Sequence, residues 1–252
     1  MTNKLRYFIG NWKMFGDFGS FKIIHKINQF SYKSKGRFKK KIILCVPNTL
    51  IHFFKKKLKS KFISLGVQNC HYHQGYGPFT GSVNASMLKK AGAEFIILGH
   101  SENRSEGETN QLIKKKIKSA LNNKLNIIFC IGETFKEKKS GKTFSILRKQ
   151  IRNSIEKKFN INKIVFAYEP VWSIGTNKIP KMNELKNTIE FIKKNYMKNF
   201  KTRKSPKVLY GGSVNDKNIS LFSSISQIDG FLIGGASQSS KKFIDIIINY
   251  YK

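Results

Sequence analysis

Short apolar runs recur along the whole chain, separated by longer segments whose apolar residues fall at helical spacing. The runs are residues 7–13, 42–46, 63–68, 95–99, 127–131, 164–168, 208–210 and 230–233. Most are rich in Ile, Val, Leu or Phe without polar alternation, as strands buried on both faces of a parallel sheet are. Between them, residues 110–121 place Leu112, Ile113, Ile117, Ala120 and Leu121 on one helical face, and 144–159, 183–200 and 241–250 read the same way. Strand and helix in alternation specify an α/β fold with a parallel sheet. Eight such repeats in 252 residues fit a closed (β/α)8 barrel, which runs to ~250 residues. No linker or composition shift interrupts the chain, so residues 1–252 are expected to form a single barrel domain. An open doubly wound sheet is the structural alternative. It would usually carry a nucleotide loop, and no G-x-G-x-x-G is present. Gly141-Lys142-Thr143 hints at a phosphate loop, but Lys136 stands where the earlier glycine must be.

Several classes are disfavoured by composition. No stretch reaches the ~18 apolar residues of a membrane helix. Residues 1–6 lead directly into an apolar run and lack a signal peptide's apolar region and cleavage site. The three cysteines, Cys45, Cys70 and Cys130, are far apart, which argues against disulfide or zinc frameworks and fits a reducing cytoplasm. A net charge of +34 raises nucleic-acid binding as a reading. Yet the runs at Lys39–Lys41, Lys55–Lys57 and Lys114–Lys116 fall in different predicted elements rather than along one stripe. A solvated surface is the expectation, with no specific nucleic-acid or membrane partner. Such a field would still draw in an anionic substrate.

The C-terminal strand ends build the active site in barrels of this kind. Strand one ends in Asn11 and Lys13, strand four in Gly99-His100-Ser101-Glu102, and strand five in Gly132-Glu133. Strand six ends in Glu169-Pro170, strand seven in Gly211-Gly212-Ser213, and strand eight in Gly234-Gly235. Acids are scarce, 14 in all, so their recurrence at these ends is informative. Lys13, His100 and Glu169 converging on one mouth would supply a cation, an electrophile and a base, with no metal cluster beside them. Glycines let main-chain N–H groups approach an anion, so the ends of strands seven and eight suit a phosphate. Plainer readings exist: Gly-Gly as a turn, His100 as a core histidine, and Glu133 in a structural ion pair. The last is preferred. A buried Lys13 needs a partner, for which Glu102 is the candidate.

These residues lie in segments that resemble triosephosphate isomerases. They are Gly10-Asn11-Trp12-Lys13-Met14, Leu98-Gly99-His100-Ser101-Glu102, Cys130-Ile131-Gly132-Glu133, Ala167-Tyr168-Glu169-Pro170-Val171-Trp172-Ser173-Ile174-Gly175-Thr176, Tyr210-Gly211-Gly212-Ser213-Val214, and Asp229-Gly230-Phe231-Leu232-Ile233-Gly234-Gly235-Ala236-Ser237. The likeness runs through the whole chain in order. It implies a single TIM barrel that interconverts dihydroxyacetone phosphate and glyceraldehyde 3-phosphate without cofactor or metal. By that resemblance Glu169 is the base, and a neutral His100 polarises the carbonyl. Lys13 and Asn11 stabilise negative charge. The N–H groups of Gly175, Ser213, Gly234 and Gly235 hold the phosphate. Residues 170–178 match the family's closing lid, with Ile174 and Leu232 pressing on the base. Residues 71–83 match a loop that reaches into a second subunit, which implies a homodimer.

The sequence departs from the family at Phe15, at Ser82 and Asn103 in place of a Glu and an Arg, and at Ile179-Pro180 in the far hinge of the lid. There Pro180 fixes φ or begins the next helix. Two other readings stay open. A sugar-phosphate epimerase or lyase barrel would need metal ligands or a Schiff-base lysine at another strand end. A basic nucleic-acid binder would need no intact set of Asn11, Lys13, His100 and Glu169.

Overall fold

The computed structural model describes residues 4–59 and 62–252. Of the N-terminal stretch discussed above, residues 1–3 lie outside them. Eight parallel strands close into a barrel in sequence order. They are β1 (Arg6–Asn11), β2 (Lys40–Cys45), β3 (Ile63–Val67), β4 (Phe95–Leu98), β5 (Asn126–Ile131), β6 (Ile164–Tyr168), β7 (Lys207–Tyr210) and β8 (Gly230–Ile233). β1 closes the ring against β8, with Phe8 opposite Phe231 and Ile9 opposite Leu232.

The unbroken apolar character of the strands has a direct cause. Along β1, Phe8 points out into the layer shared with the helices, while Ile9 points into the barrel. Ile43, Ile97, Ile128, Ala167, Leu209 and Leu232 fill the same interior. Both strand faces are therefore dry, and period-two alternation of polarity is lost.

Around the barrel run α1 (Phe21–Lys33), α2 (Asn48–Lys57), α3 (Ala85–Lys90), α4 (Ser101–Ser105), α5 (Asn110–Asn122), α6 (Phe135–Lys139), α7 (Thr143–Ser154), α8 (Met182–Phe200) and α9 (Ser240–Tyr250). The helix expected at 144–159 stops at Ser154, because Ile155 turns extended and is buried. After β7 only a 3-10 segment, Ile219–Ser224, follows. The basic runs are not wholly solvated. Lys116 is buried, bonded to Glu108 and, at 2.9 Å, to Asn69. Lys40 donates to Ser34 Oγ at 2.8 Å.

Candidate active site

Glu169 follows β6 directly, and its N–H donates to Ile131 O of β5 at 2.8 Å. Two glycines make the slot it occupies. A Cβ at Gly132 would lie 1.8 Å from Glu169 O, and one at Gly211 would lie 2.7 Å from Glu169 Cγ. The carboxylate is buried, with Oε1 3.3 Å from His100 Nε2 and Oε2 without a hydrogen-bond partner. A buried carboxylate with an idle oxygen leaves that oxygen open to a bound substrate.

His100 caps the N-terminus of α4, and its Nδ1 accepts the Glu102 N–H at 3.2 Å. With that lone pair filled, the proton of the neutral ring resides on Nε2 and faces Glu169. Burial lowers the His100 pKa. The Glu169 carboxylate outweighs burial, with help from Glu102 and against Lys13, so the value lies above the ordinary 6.5. The Glu102 amide opposes a second proton, since Nδ1 would have to give up that bond to accept it.

Lys13 lies beyond the strand, not in it. β1 ends at Asn11, whose Oδ1 accepts the Lys13 N–H at 3.1 Å. Lys13 adopts φ +56, a left-handed conformation uncommon for a residue with a side chain. Its Nζ pairs with Glu102, the partner expected from sequence.

All of these groups open on one cleft of about 460 Å³. Asn11, Lys13, His100, Glu169, Gly175, Ser213, Gly234 and Gly235 line it, together with Ile174 and Leu232. Lys242, in the first turn of α9, also lines it. Sequence reasoning passed over Lys242 because one lysine among so many gives no signal. A second cleft of about 500 Å³ shares Asn11, Lys13 and His100 and extends past Met14 and Phe15. Met14 is fully exposed there, while the Phe15 ring packs 5.6 Å from Trp12. The departures at Ser82 and Asn103 lie on exposed and half-buried positions respectively.

Glu133 is not in the ion pair expected from sequence. It is fully buried and accepts hydrogen bonds from Trp172 Nε1 at 3.0 Å and Tyr168 Oη at 3.2 Å. Burial raises its pKa, and the Trp172 and Tyr168 donors work against that rise. Lys138, the nearby cation, sits over the Trp172 ring at 3.9 Å and pairs with Glu184. The bonded Trp172 ties residues 170–178 to β5. Gly175 in that segment takes φ +70. Pro180 precedes the cap residue Lys181 and does not start α8.

Among the described residues, no His, Cys, Asp and Glu group is arranged to hold a metal ion, and no helix is long and apolar enough to cross a membrane.

The triosephosphate isomerase family model matches residues 6–250. A triosephosphate isomerase of Dictyoglomus thermophilum is 41% identical over 242 residues, covering 94% of this chain and 96% of that protein. One of Bartonella bacilliformis is 36% identical over 255 residues and covers both chains completely. The crystal structure of triosephosphate isomerase from Bartonella henselae superimposes with a TM-score of 0.88 at 33% identity, covering 98% of this chain and 99% of that one. A dry carboxylate facing an imidazole across a barrel mouth, together with full-length kinship of this kind, places the chain in the triosephosphate isomerase family.

Proposed function

We infer that the chain, acting as one domain, interconverts dihydroxyacetone phosphate and glyceraldehyde 3-phosphate by proton transfer through an enediolate. Glu169 removes a proton from the hydroxymethyl carbon of dihydroxyacetone phosphate and becomes a carboxylic acid. The electron pair of that C–H bond moves into the carbonyl, and His100 Nε2–H stabilises the oxygen that gains charge. The same proton, or one exchanged with solvent, returns from Glu169 to the neighbouring carbon, while His100 relays the hydroxyl proton of the first carbon to the former carbonyl oxygen, leaving an aldehyde beside a hydroxyl. Lys13 and Asn11 oppose the developing negative charge. The main-chain N–H groups of Gly175, Ser213, Gly234 and Gly235 grip the phosphate, and residues 170–178 close over it to exclude water.

The observation that carries this reading is the 3.3 Å approach of Glu169 Oε1 to His100 Nε2 in a shared cleft. The two groups open on the same cleft, so a substrate that parts them meets a base at one carbon and an electrophile at the neighbouring carbonyl oxygen. The exposed segment 74–78 and the fully exposed Met14 beside Lys13 support a homodimer in which residues 71–83 of one copy cover Lys13 of the other. The small phosphorylated triose is the partner to which the positive charge is suited, in the cytoplasm and with no specific nucleic acid.

A coupled spectrophotometric assay with glyceraldehyde 3-phosphate tests the reading. Turnover that vanishes on Glu169→Gln supports it. Full turnover in that variant overturns the assignment of the base.

A further inference from the structure

One buried hydroxyl joins the segment 170–178 to the loop after β7. Ser173 Oγ lies 2.5 Å from Lys178 O, 3.0 Å from Tyr210 Oη and 3.2 Å from the Ser213 nitrogen. Both Ser173 and Tyr210 are fully buried. A serine hydroxyl has one proton and two lone pairs. The Lys178 carbonyl accepts only, so it takes the proton. The Ser213 N–H fills one lone pair. The second lone pair is left for Tyr210, which must therefore donate. The hydroxyl is saturated, and its orientation is fixed from three directions.

The junction is built to be tight. A Cβ at Gly212 would lie 2.3 Å from Tyr210 Oη and 2.6 Å from Ser173 Oγ, so only glycine lets the two hydroxyls meet there. The Ser213 N–H is one of the amides assigned above to the phosphate, yet in this structure it is spent on Ser173.

We propose that Ser173 is a positioning residue that latches residues 170–178 to the phosphate grip, and that an arriving phosphate oxygen must take the Ser213 N–H from it. This rests on the reading of Ser213 as a phosphate donor. The exchange has two consequences. Before the phosphate arrives, the latch keeps the Ser213 amide aimed and satisfied, and clasps the far hinge through Lys178 O. When the phosphate takes the amide, Ser173 loses one of three bonds and the segment becomes freer to move. Phosphate binding and release of the segment are thereby coupled through a single hydroxyl. The coupling weakens binding by what the displaced bond was worth.

The test compares wild type with Ser173→Ala and Ser173→Thr, using inorganic phosphate and 2-phosphoglycolate as inhibitors. The latch predicts that Ser173→Ala binds both inhibitors about fivefold more tightly, the effect of one net hydrogen bond no longer displaced. Ser173→Thr, which keeps the hydroxyl, returns toward the wild-type constant. A purely structural serine predicts equal or weaker binding in Ser173→Ala, and that result overturns the latch. Failure of wild type itself to bind 2-phosphoglycolate would instead overturn the phosphate grip, so the two failures are distinguishable. Should Ser173→Ala not fold, amide hydrogen exchange of Ser213 in ligand-free wild type decides. Strong protection supports the latch, and exchange as fast as in an open peptide refutes it.

Discussion

Glu169 Oε1 stands 3.3 Å from His100 Nε2, with the two side chains only 4% and 5% exposed. Two influences on the imidazole meet at this contact. The carboxylate draws a second proton onto the ring, while the Glu102 N–H into Nδ1 favours the neutral form. A substrate lying between the two groups would separate them and weaken the first influence, while the amide bond to Nδ1 stays. The neutral electrophile expected from the family resemblance is then the form the bound state favours. NMR titration of the His100 ring should show a lower pKa in Glu169→Gln than in wild type.

The same contact predicts a pH-dependent stability. A histidine whose pKa is raised on folding binds protons more tightly folded than unfolded. Its stabilisation is full below the ordinary value of 6.5 and is lost as pH rises through the folded value. Calorimetry should therefore find that His100→Gln loses more stability relative to wild type at about pH 6 than at about pH 9, with the gap narrowing as pH rises.

Glu169→Asp retracts the carboxylate by one methylene while leaving the slot formed by Gly132 and Gly211 intact. A misplacement of about 1 Å at a reacting group costs roughly a hundredfold. Steady-state kinetics should show kcat down by about that factor, with an unchanged melting temperature and little change in KM.

Gly211 and Gly234 should separate the base from the grip. A methyl at Gly211 would press on Glu169 Cγ at 2.7 Å, whereas one at Gly234 meets nothing nearer than Lys13 Cε at 3.9 Å. Gly211→Ala is expected to lower kcat with inhibitor affinity preserved. Gly234→Arg, which fills the cleft, is expected to abolish 2-phosphoglycolate binding while the protein stays folded.

Lys13 pairs with Glu102, but their side chains are 31% and 57% exposed. So open a pair contributes little to stability. In the proposed reaction the same ammonium opposes charge developing on the substrate, and loss of such a group costs about a hundredfold or more. Lys13→Met should therefore leave thermal unfolding nearly unchanged and cut kcat/KM by at least that amount.

The barrel was legible in the sequence because strands buried on both faces leave long apolar runs, as β4 and β5 do. Asn11, His100, Glu169 and the strand-end glycines could be placed because polar residues are conspicuous after such runs. Other features were not legible. The left-handed Lys13 needs the close of β1 at Asn11, which the apolar Trp12 conceals. Glu133 reads as half of an ion pair until Trp172, 39 positions later, is seen donating to it. The Ser173 hydroxyl draws its partners from Lys178, Tyr210 and Ser213, and only the folded barrel brings them together. Lys116 shows the converse, a lysine in a basic run that the fold buries against Glu108.

The proposed reaction requires Glu169 to carry the proton between adjacent carbons. Isomerisation of dihydroxyacetone phosphate in deuterium oxide, followed by NMR, measures this directly. Wild type should place solvent deuterium on the second carbon of glyceraldehyde 3-phosphate, and Glu169→Gln should yield neither product nor label. Labelled product formed by Glu169→Gln at the wild-type rate would show that another group is the base.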